Sequence, residues 1–212
     1  MNAASTCLVV LARAPEAGRV KTRLAGAIGE RRALQVYRAL LTITAGAALA
    51  WPGPALLAST GDAAAFAGTG CERLTRIEQA TGDLGKRIAD ALAQGLARAR
   101  NALVIGSDCP ALDGTALAAV AAALATAPVA FGPADDGGFW AIATNDHRAV
   151  HLLATLPVPW SSPATLGTLR QQLAAAGLAS ACGPVLADLD TAADLDQALA
   201  LGLLGPRPEA TR

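Results

Sequence analysis

Basic residues are concentrated in a stretch that follows the first apolar run of the chain. Arg13 begins the stretch. Arg19, Lys21 and Arg23 then alternate along it, so an extended backbone would place these three side chains on one side. Because arginine binds phosphate through paired hydrogen bonds and lysine acts as a point charge, the stretch predicts recognition of a di- or triphosphate. The alternative is a solvent-exposed basic loop, since the glycine-rich pattern of a P-loop is absent.

Aspartates follow two apolar runs farther along the chain. Asp108 lies in the segment IGSDCPAL, and Asp188 and Asp190 alternate in DLDTAADL. Proteins commonly hold Mg²⁺ through one or two carboxylates, and substrate phosphates then complete the coordination. These aspartates therefore predict a metal site, with Asp108 as one ligand and the later pair as the source of a second. The alternative is structural: Asp108 caps a turn or a helix, and Asp190 or Thr191 caps the last helix.

Glycines accompany charged residues in two further segments. In GPADDGGFW, Asp136 precedes Gly137 and Gly138, which predicts either a ligand-binding turn or the tight turn of a hairpin. The stretch Gly82–Arg87 leads into a predicted helix and is suited to hold a base or a phosphate at the helix N-terminus. The proline-bracketed segment PWSSP either stacks an aromatic ring on a sugar or closes the core.

Alternating strands and helices must position these residues. The apolar runs predict strands at Thr6–Ala12, Pro54–Thr60, Leu74–Glu78, Ala102–Gly106, Val129–Gly132, Phe139–Ala143 and Val185–Leu189. The stretch from Arg13 to Leu24 is expected to be a loop. Helical spacing predicts helices at Glu30–Leu49, Leu84–Arg100, Asp113–Ala125, from Ser162 or Thr165 to Ala176, and Thr191–Leu203. This alternation is typical of an α/β domain with a mostly parallel sheet, whose ligands bind beyond the carboxyl ends of the strands.

The composition excludes several classes of protein. The 212 residues carry 17 basic and 17 acidic side chains, so no net positive charge attracts nucleic acid or an anionic membrane. A hydrophobic fraction of 53% excludes a disordered chain. The apolar stretches fall short of the roughly 20 residues that span a bilayer, and the N-terminus lacks the pattern of a signal peptide. We therefore expect a cytoplasmic protein with one domain over residues 1–204 and a frayed tail over 205–212.

The cysteines do not indicate a zinc site. Cys7, Cys71, Cys109 and Cys182 are far apart in sequence and form no CxxC pair. With only two histidines in the chain, they complete no familiar zinc pattern. We expect all four to be small buried residues of a protein in a reducing compartment.

Six segments of the chain resemble, in order, one bacterial transferase family: RAPEAGRVKTRL, GDLGKRI, IGSDCPAL, GPADDGGFW, PWSSP and DLDTAADL. This family is glycosyltransferase-like and is associated with radical-SAM/selenodomain genes and with arsenosugar biosynthesis. The resemblance extends from about Cys7 to Leu195. It implies a single-domain GT-A-like, or nucleotide-diphospho-sugar transferase, fold: a three-layer α/β sandwich with a mostly parallel sheet. The chain is more distantly similar to molybdenum-cofactor nucleotidyltransferases and to the deazaflavin-cofactor guanylyltransferase.

The resemblance implies roles for the residues of these segments. Lys21 and Arg23 would hold phosphates, with Arg13 and Arg19 on the same basic stretch, and Asp108 would bind Mg²⁺ or Mn²⁺. The implied binding residues elsewhere fall into two groups: Gly82, Asp83 and Arg87 near the base, and Asp136, Gly137 and Gly138 in the donor or acceptor pocket.

The chain departs from the family pattern at three positions. Phe139 stands where the family usually has tyrosine, so a phenolic hydroxyl is missing there. Ile88 stands where the family usually has methionine, a change that a core tolerates. The D-x-D pattern of GT-A enzymes reads Asp108-Cys-Pro, so a second metal ligand must come from elsewhere, with Asp136 and Asp190 as the candidates.

Three functions fit these observations. The first is Mg²⁺-dependent transfer of a sugar from a nucleotide-sugar donor to a small-molecule acceptor. In it, Lys21 neutralises the departing diphosphate and Asp136 activates the acceptor hydroxyl. The second is transfer of a nucleotidyl group from a nucleoside triphosphate to a phosphorylated small molecule. The third is nucleotide binding without catalysis. The sequence does not indicate the oligomeric state.

Overall fold

A computed structural model describes residues 3–205 of the chain. Seven strands and seven α-helices alternate along most of this length. The strands are β1 Thr6–Arg13, β2 Ala55–Thr60, β3 Thr75–Glu78, β4 Asn101–Ile105, β5 Val129–Pro133, β6 Phe139–Thr144 and β7 Ser180–Cys182. The helices are α1 Thr22–Ile28, α2 Glu30–Leu49, α3 Leu84–Leu96, α4 Gly114–Ala123, α5 His147–Thr155, α6 Thr165–Ala175 and α7 Ala192–Ala200.

All seven strands form one sheet in the order β3-β2-β1-β4-β6-β5-β7. Strands β3, β2, β1 and β4 are parallel neighbours. Strand β6 runs antiparallel to both β4 and β5, while β7 pairs in parallel with β5. The order jumps at β4, which lies between β1 and the antiparallel β6. A mostly parallel sheet confirms the predicted fold class.

Helices cover both faces of the sheet and complete three layers. On one face, Leu41 of α2 and Leu117 of α4 pack against Leu8 and Leu103 of the sheet. On the other face, α3, α5 and α6 pack over a second buried cluster that includes Leu92 and Phe131, among others. A third, smaller cluster joins α1, α2 and α7. Since strand side chains alternate between the two faces, both faces of the central strands are apolar, as expected for buried parallel strands.

Two predicted stretches differ from the structure. The last strand, expected at 185–189, is wrong: β7 lies at Ser180–Cys182, and the later segment touches the sheet through a single bridge between Leu186 and Ala134. The expected loop 13–24 ends earlier, because Thr22–Ile28 forms α1. Helix α5 had no predicted counterpart. The frayed tail expected over 205–212 lies, except for Gly205, outside the described residues.

The cysteine prediction is correct at three of the four positions. Cys7, Cys71 and Cys109 are buried, whereas Cys182 is exposed at the end of the short β7. In the described part of the chain all four are free thiols. Helices long and apolar enough to cross a membrane are absent from residues 3–205.

Candidate functional site

A cleft of about 520 Å³ opens beyond the carboxyl ends of β1 and β4. Its floor includes Arg13 at the end of β1 and Ser107 after β4. Its walls come from the loop before α1, the start of α3, the β5–β6 turn, the segment before α6 and the segment before α7. This is where an open α/β sheet binds its ligands. The charged residues that line it are Arg13, Arg19, Lys21, Arg23, Arg87, Asp108, Asp136, Asp188 and Asp190.

Lys21 lies between two of the cleft aspartates. Its Nζ forms ion pairs with Asp108 and with Asp190 Oδ1, the latter at 2.9 Å. The lysine side chain is only 5% exposed, whereas those of Asp108 and Asp190 are 43% and 48% exposed. Burial lowers the pKa of Lys21, but the two carboxylates more than offset this effect and leave the pKa above its usual value. The ammonium group is therefore charged and held in place.

The basic loop is folded rather than extended. Lys21 has φ 48° and ψ 44°, a left-handed conformation, and it directly precedes α1. Its side chain is buried, while those of Arg19 and Arg23 are 76% and 75% exposed. The extended backbone on which the expected alternation depended is therefore not present, although all three side chains line the cleft. Arg19 pairs with Glu16 at 2.9 Å.

Backbone contacts bring Asp108 and Asp190 together. The Leu189 amide donates to the Asp108 carbonyl oxygen at 3.0 Å, which ties the segment before α7 to the end of β4. Helix α7 is capped by Thr191 and Asp194, which form a reciprocal capping box. The structural alternative is thus correct for Thr191. The Asp190 carboxylate takes no part in that cap and faces Lys21 instead.

Asp188 is a cleft residue that the sequence indicated only as a possible metal ligand. The thiol of Cys109 donates a hydrogen bond to Asp188 Oδ1 at 2.9 Å. Burial, together with the charges of Asp108 and Asp136, raises the pKa of Asp188 to about 6, although the thiol hydrogen bond opposes this shift. Burial and the neighbouring Asp188 also raise the pKa of Cys109, so this thiol is protonated and unreactive. The cleft therefore holds a carboxylate that titrates near neutral pH.

The turn between β5 and β6 is stabilised by one of its own side chains and also lines the cleft. The Gly138 amide donates to Asp136 Oδ1 at 2.8 Å, a contact that stabilises the turn. Oδ2 of Asp136 has no hydrogen-bond partner among residues 3–205, and both Asp136 and Gly138 line the cleft. Gly137 lies outside the lining. Its φ is +87°, and a Cβ there would collide with the Pro163 carbonyl, so only glycine fits where the segment before α6 packs on the turn.

The first turn of α3 contributes one arginine to the cleft. The Asp83 side chain caps α3 by accepting from the Lys86 amide at 2.9 Å, so this N-terminus already has an anionic partner. Gly82 and Asp83 lie outside the cleft lining, whereas Arg87 lies in it. The Arg87 guanidinium donates to Gln79 Oε1 at 3.2 Å, and its buried Nε has no partner in the described part of the chain. Burial and the nearby Arg13 lower the pKa of Arg87.

Sequence reasoning missed a tyrosine beneath the cleft. The Tyr37 hydroxyl contacts both the amide and the carbonyl of Arg13 at 3.1 Å, and it lies 3.3 Å from Ser107 Oγ. Burial raises the pKa of Tyr37, so the phenol stays protonated. Tyr37 thus ties the end of β1 to the turn after β4. Its position within an ordinary apolar helical pattern gave no signal of this role.

The PWSSP segment closes the core and contributes hydroxyl groups to the cleft. The Trp160 ring lies against Gly85, where a side chain would collide with it, so the packing interpretation is supported for Trp160. Ser161, Ser162 and Thr165 line the cleft. Ser161 has φ 59°, and its hydroxyl has no hydrogen-bond partner among residues 3–205.

Two carboxylates of the cleft could supply part of the ligand set of a divalent metal ion. Asp108 and Asp190 both bind the buried Lys21 ammonium group. Their carboxylate oxygens are hard ligands, the type that Mg²⁺ and Mn²⁺ prefer. Within residues 3–205 no group of three or more His, Cys, Asp or Glu side chains is arranged to hold a metal alone. An ion here would need further ligands from phosphate and water, as is usual for Mg²⁺ bound with a nucleotide. With phosphate and water as the remaining ligands, the carboxylates of Asp108 and Asp190 fit Mg²⁺ or Mn²⁺.

Comparisons with known proteins agree with this architecture. A family model described as "Uncharacterized protein conserved in bacteria (DUF2064)" matches residues 43–162. No curated protein sequence matches the chain. A protein of Desulfovibrio desulfuricans G20, provisionally assigned as a nucleotide-diphospho-sugar transferase, superposes with a TM-score of 0.82. It is 23% identical, and the match covers 92% of this chain and 86% of that one.

Two more distant structures share the fold. The inositol-1-phosphate CTP transferase of T. maritima has a TM-score of 0.57 and 11% identity, over 95% of this chain and 96% of that one. The Rv0371C protein of Mycobacterium tuberculosis H37Rv, solved in complex with manganese, has a TM-score of 0.53 and 20% identity. That match covers 94% of this chain and 100% of the other. At these identities the similarities show the fold alone, which is the GT-A-like fold of nucleotide-diphospho-sugar transferases.

Proposed function

The chain belongs to the bacterial family DUF2064, and we propose that it is a nucleotide-dependent transferase that moves a sugar from a nucleotide-sugar donor to a hydroxyl group of a small molecule. The proposal includes membership of the glycosyltransferase-like family that is associated with radical-SAM/selenodomain genes and that the six segments resemble. The fold is shared with sugar-nucleotide and CTP-dependent transferases, which supports a nucleotide substrate.

One observation carries the choice of sugar transfer: the cleft holds more carboxylates than its buried lysine can neutralise. Lys21 binds Asp108 and Asp190, while Asp136 and Asp188 line the same cleft without an ion-pair partner within residues 3–205. Next to Asp136 and Asp188 a phosphorylated acceptor would be repelled, whereas Arg13 and Arg87 favour an anionic group elsewhere in the cleft. A hydroxyl acceptor needs a base, and a carboxylate supplies one.

Lys21 has the first role in the proposed reaction. As the sugar–phosphate bond breaks, negative charge develops on the departing diphosphate, and the Lys21 ammonium is placed to stabilise it. Arg13, Arg23 and Arg87 add positive charge around the cleft. A divalent ion held by Asp108, with Asp190 or Asp136, supplies further neutralisation of the diphosphate when it is bound.

Asp136 has the second role, removal of the proton from the acceptor hydroxyl. It is exposed in the cleft, and its Oδ2 is available to accept that proton. Ser161 and Ser162 supply hydroxyl groups nearby on the cleft wall, where they can bind polar groups of the substrates.

A second reaction is supported by a different observation. The CTP-dependent neighbour shares the fold, and a buried lysine in the loop after β1 suits a triphosphate as well as a diphosphate. Transfer of a nucleotidyl group would release pyrophosphate, whereas sugar transfer releases a nucleoside diphosphate.

Thermal unfolding with a panel of nucleoside tri- and diphosphates and nucleotide-sugars, each with Mg²⁺ and with EDTA, tests the proposal. A specific ligand at 100 times its Kd stabilises the folded state by about 2.7 kcal/mol. We expect one nucleotide-sugar and its diphosphate to stabilise the protein, and the diphosphate to be released during turnover. Pyrophosphate release would favour the second reaction, and no stabilisation by any nucleotide would contradict both. Asp113→Asn is the control for cleft variants, because Asp113 only caps α4.

A further inference from the structure

We propose that Lys21 holds the place of the divalent cation in the free protein, so that metal and nucleotide phosphate bind this cleft only together. The inference rests on the proposed function and concerns the order in which its ligands can bind. It requires that Lys21 occupy the metal ligands, that it stay there without a ligand, and that phosphate offer it another partner.

The first requirement follows from the contacts. The carboxylates that suit the metal, Asp108 and Asp190, are the two that Lys21 binds. The Asp190 carboxylate is also approached by Arg23 Nη1 through its other oxygen, at 3.8 Å. No third acidic or thiol ligand completes a metal group within residues 3–205. A metal ion entering the free cleft would therefore have to displace the ammonium group from both carboxylates.

The second requirement follows from the backbone around Lys21. The neighbouring Val20 and Leu24 are buried, with 7% and 0% exposure, and the Ala25 amide donates to the Lys21 carbonyl at 2.8 Å. These contacts fix the Cα in its left-handed conformation at the start of α1. A lysine displaced without a new anionic partner would leave a charge in a position that is only 5% exposed, which is costly.

The third requirement follows from the ligand. A nucleotide diphosphate brings oxyanions that bind an ammonium group as well as a carboxylate does. The four-carbon side chain allows Nζ to move from the carboxylates to phosphate without a change in the backbone. Nucleotide then frees Asp108 and Asp190 for the metal, and by linkage the metal strengthens nucleotide binding by the same factor.

Titration of the nucleotide-free protein with Mn²⁺, followed by electron paramagnetic resonance of the free ion, tests the inference. Lys21→Met keeps the apolar stem and removes the charge. We expect Mn²⁺ alone to bind this variant at least about tenfold more tightly than the wild type, a difference of about 1.4 kcal/mol. Adding Asp108→Asn to Lys21→Met should remove the gain.

Arg23→Met is the matched control for simple electrostatics. It removes one positive charge beside the same Asp190 carboxylate, but from an exposed side chain that occupies neither oxygen closely. If Lys21 blocks the site, Arg23→Met should change the Mn²⁺ affinity less than about threefold, since exposed pairs contribute little. Equal gains in the two variants would show that Lys21 acts only through its charge and would overturn the inference.

The remaining outcomes are also decisive. No gain in Lys21→Met, or tight Mn²⁺ binding by the wild type alone, would overturn the inference. If Lys21→Met does not fold, Lys21→Gln replaces it, because its neutral amide can still donate to a carboxylate; the same gain is expected. The titration contains no nucleotide, so its result does not depend on whether sugar transfer is correct. That proposal fails separately if no nucleotide stabilises the wild type.

Discussion

The cleft contains two cationic regions that differ in how their charge is neutralised. In the first, one lysine is buried between Asp108 and Asp190. In the second, Arg13 and Arg87 lie near each other, and neither guanidinium forms a salt bridge within residues 3–205. The first region is neutralised before any ligand binds and must rearrange to act. The second retains its positive charge and is ready for an anionic group, so the two regions have different roles with the same ligand.

The largest effect is expected in the paired region. Asp108→Asn should lower the rate of transfer by about 10²–10³-fold, because it removes a carboxylate that positions both Lys21 and the proposed metal. The fold should be retained, since the Asp108 side chain is 43% exposed. Steady-state kinetics with the nucleotide-sugar identified by thermal unfolding measures this effect. A rate within a few-fold of the wild type, or of the Asp113→Asn control, would remove Asp108 from the site.

The two regions should lose different amounts of stability when a cation is removed. Lys21→Met leaves two carboxylates facing each other and should lower the free energy of unfolding by about 1–3 kcal/mol. Arg87→Met removes a buried unpaired Nε and repulsion from Arg13, but it also removes the hydrogen bond to Gln79 Oε1, so the loss of stability should be smaller than in Lys21→Met. Denaturant unfolding of both variants checks the contrast, with Lys86→Met as an exposed lysine control. Equal losses of stability would show that the regions do not differ.

A pH-dependent effect of at most similar size is expected from Asp188, one of the two cleft carboxylates without an ion-pair partner within residues 3–205. The pKa of Asp188 is about 6 in the folded protein against 3.8 normally, so the folded state binds this proton more tightly. The carboxyl group therefore costs no stability below about pH 4, an increasing amount between about pH 4 and 6, and the full amount above about pH 6. Asp188→Asn should raise the free energy of unfolding by up to about 1–3 kcal/mol at pH 7.5, which appears as a higher melting temperature. The gain should be much smaller at pH 4.5.

Melting curves in EDTA at the two pH values measure the Asp188 effect without bound metal. Asp135→Asn, an exposed neighbour of the β5–β6 turn outside the cleft lining, is the control and should change little at either pH. A gain in Asp188→Asn that is the same at both pH values would contradict the raised pKa.

The smallest effects are expected from the exposed arginines of the basic loop. Arg19 and Arg23 lie in partly solvated ion pairs, so Arg19→Met and Arg23→Met should each change stability by less than about 1 kcal/mol. Their contribution to nucleotide binding should fall between 50 and 300 mM salt, because dissolved ions screen exposed charges. Isothermal titration at the two salt concentrations checks this. A large loss that is independent of salt would mean that these side chains become buried on the ligand.

Local sequence patterns determined most of the elements of this protein. Local patterns correctly predicted six of the seven strands, and the central strands are continuous apolar runs because they are buried on both faces. The predicted strand at 185–189 was wrong, because Val185 is exposed, Leu186 makes only a single bridge to the sheet, and the Leu189 amide binds the Asp108 carbonyl instead. The short helix α1 was hidden because it contains Arg23 and Gly26 and directly follows the basic stretch, which resembles a loop.

The residue types of the site were determined by the sequence, and their pairing was decided only by the tertiary structure. Lys21 and Asp190 are 169 residues apart, and nothing in either segment indicates that they form one ion pair. The same is true of Cys109 and Asp188, which are 79 residues apart and are joined by a thiol–carboxylate hydrogen bond. Charge and spacing are local properties that a sequence displays directly. Burial and the distance between remote charges, which set how strongly those charges interact, exist only once the sheet has brought the strand ends together.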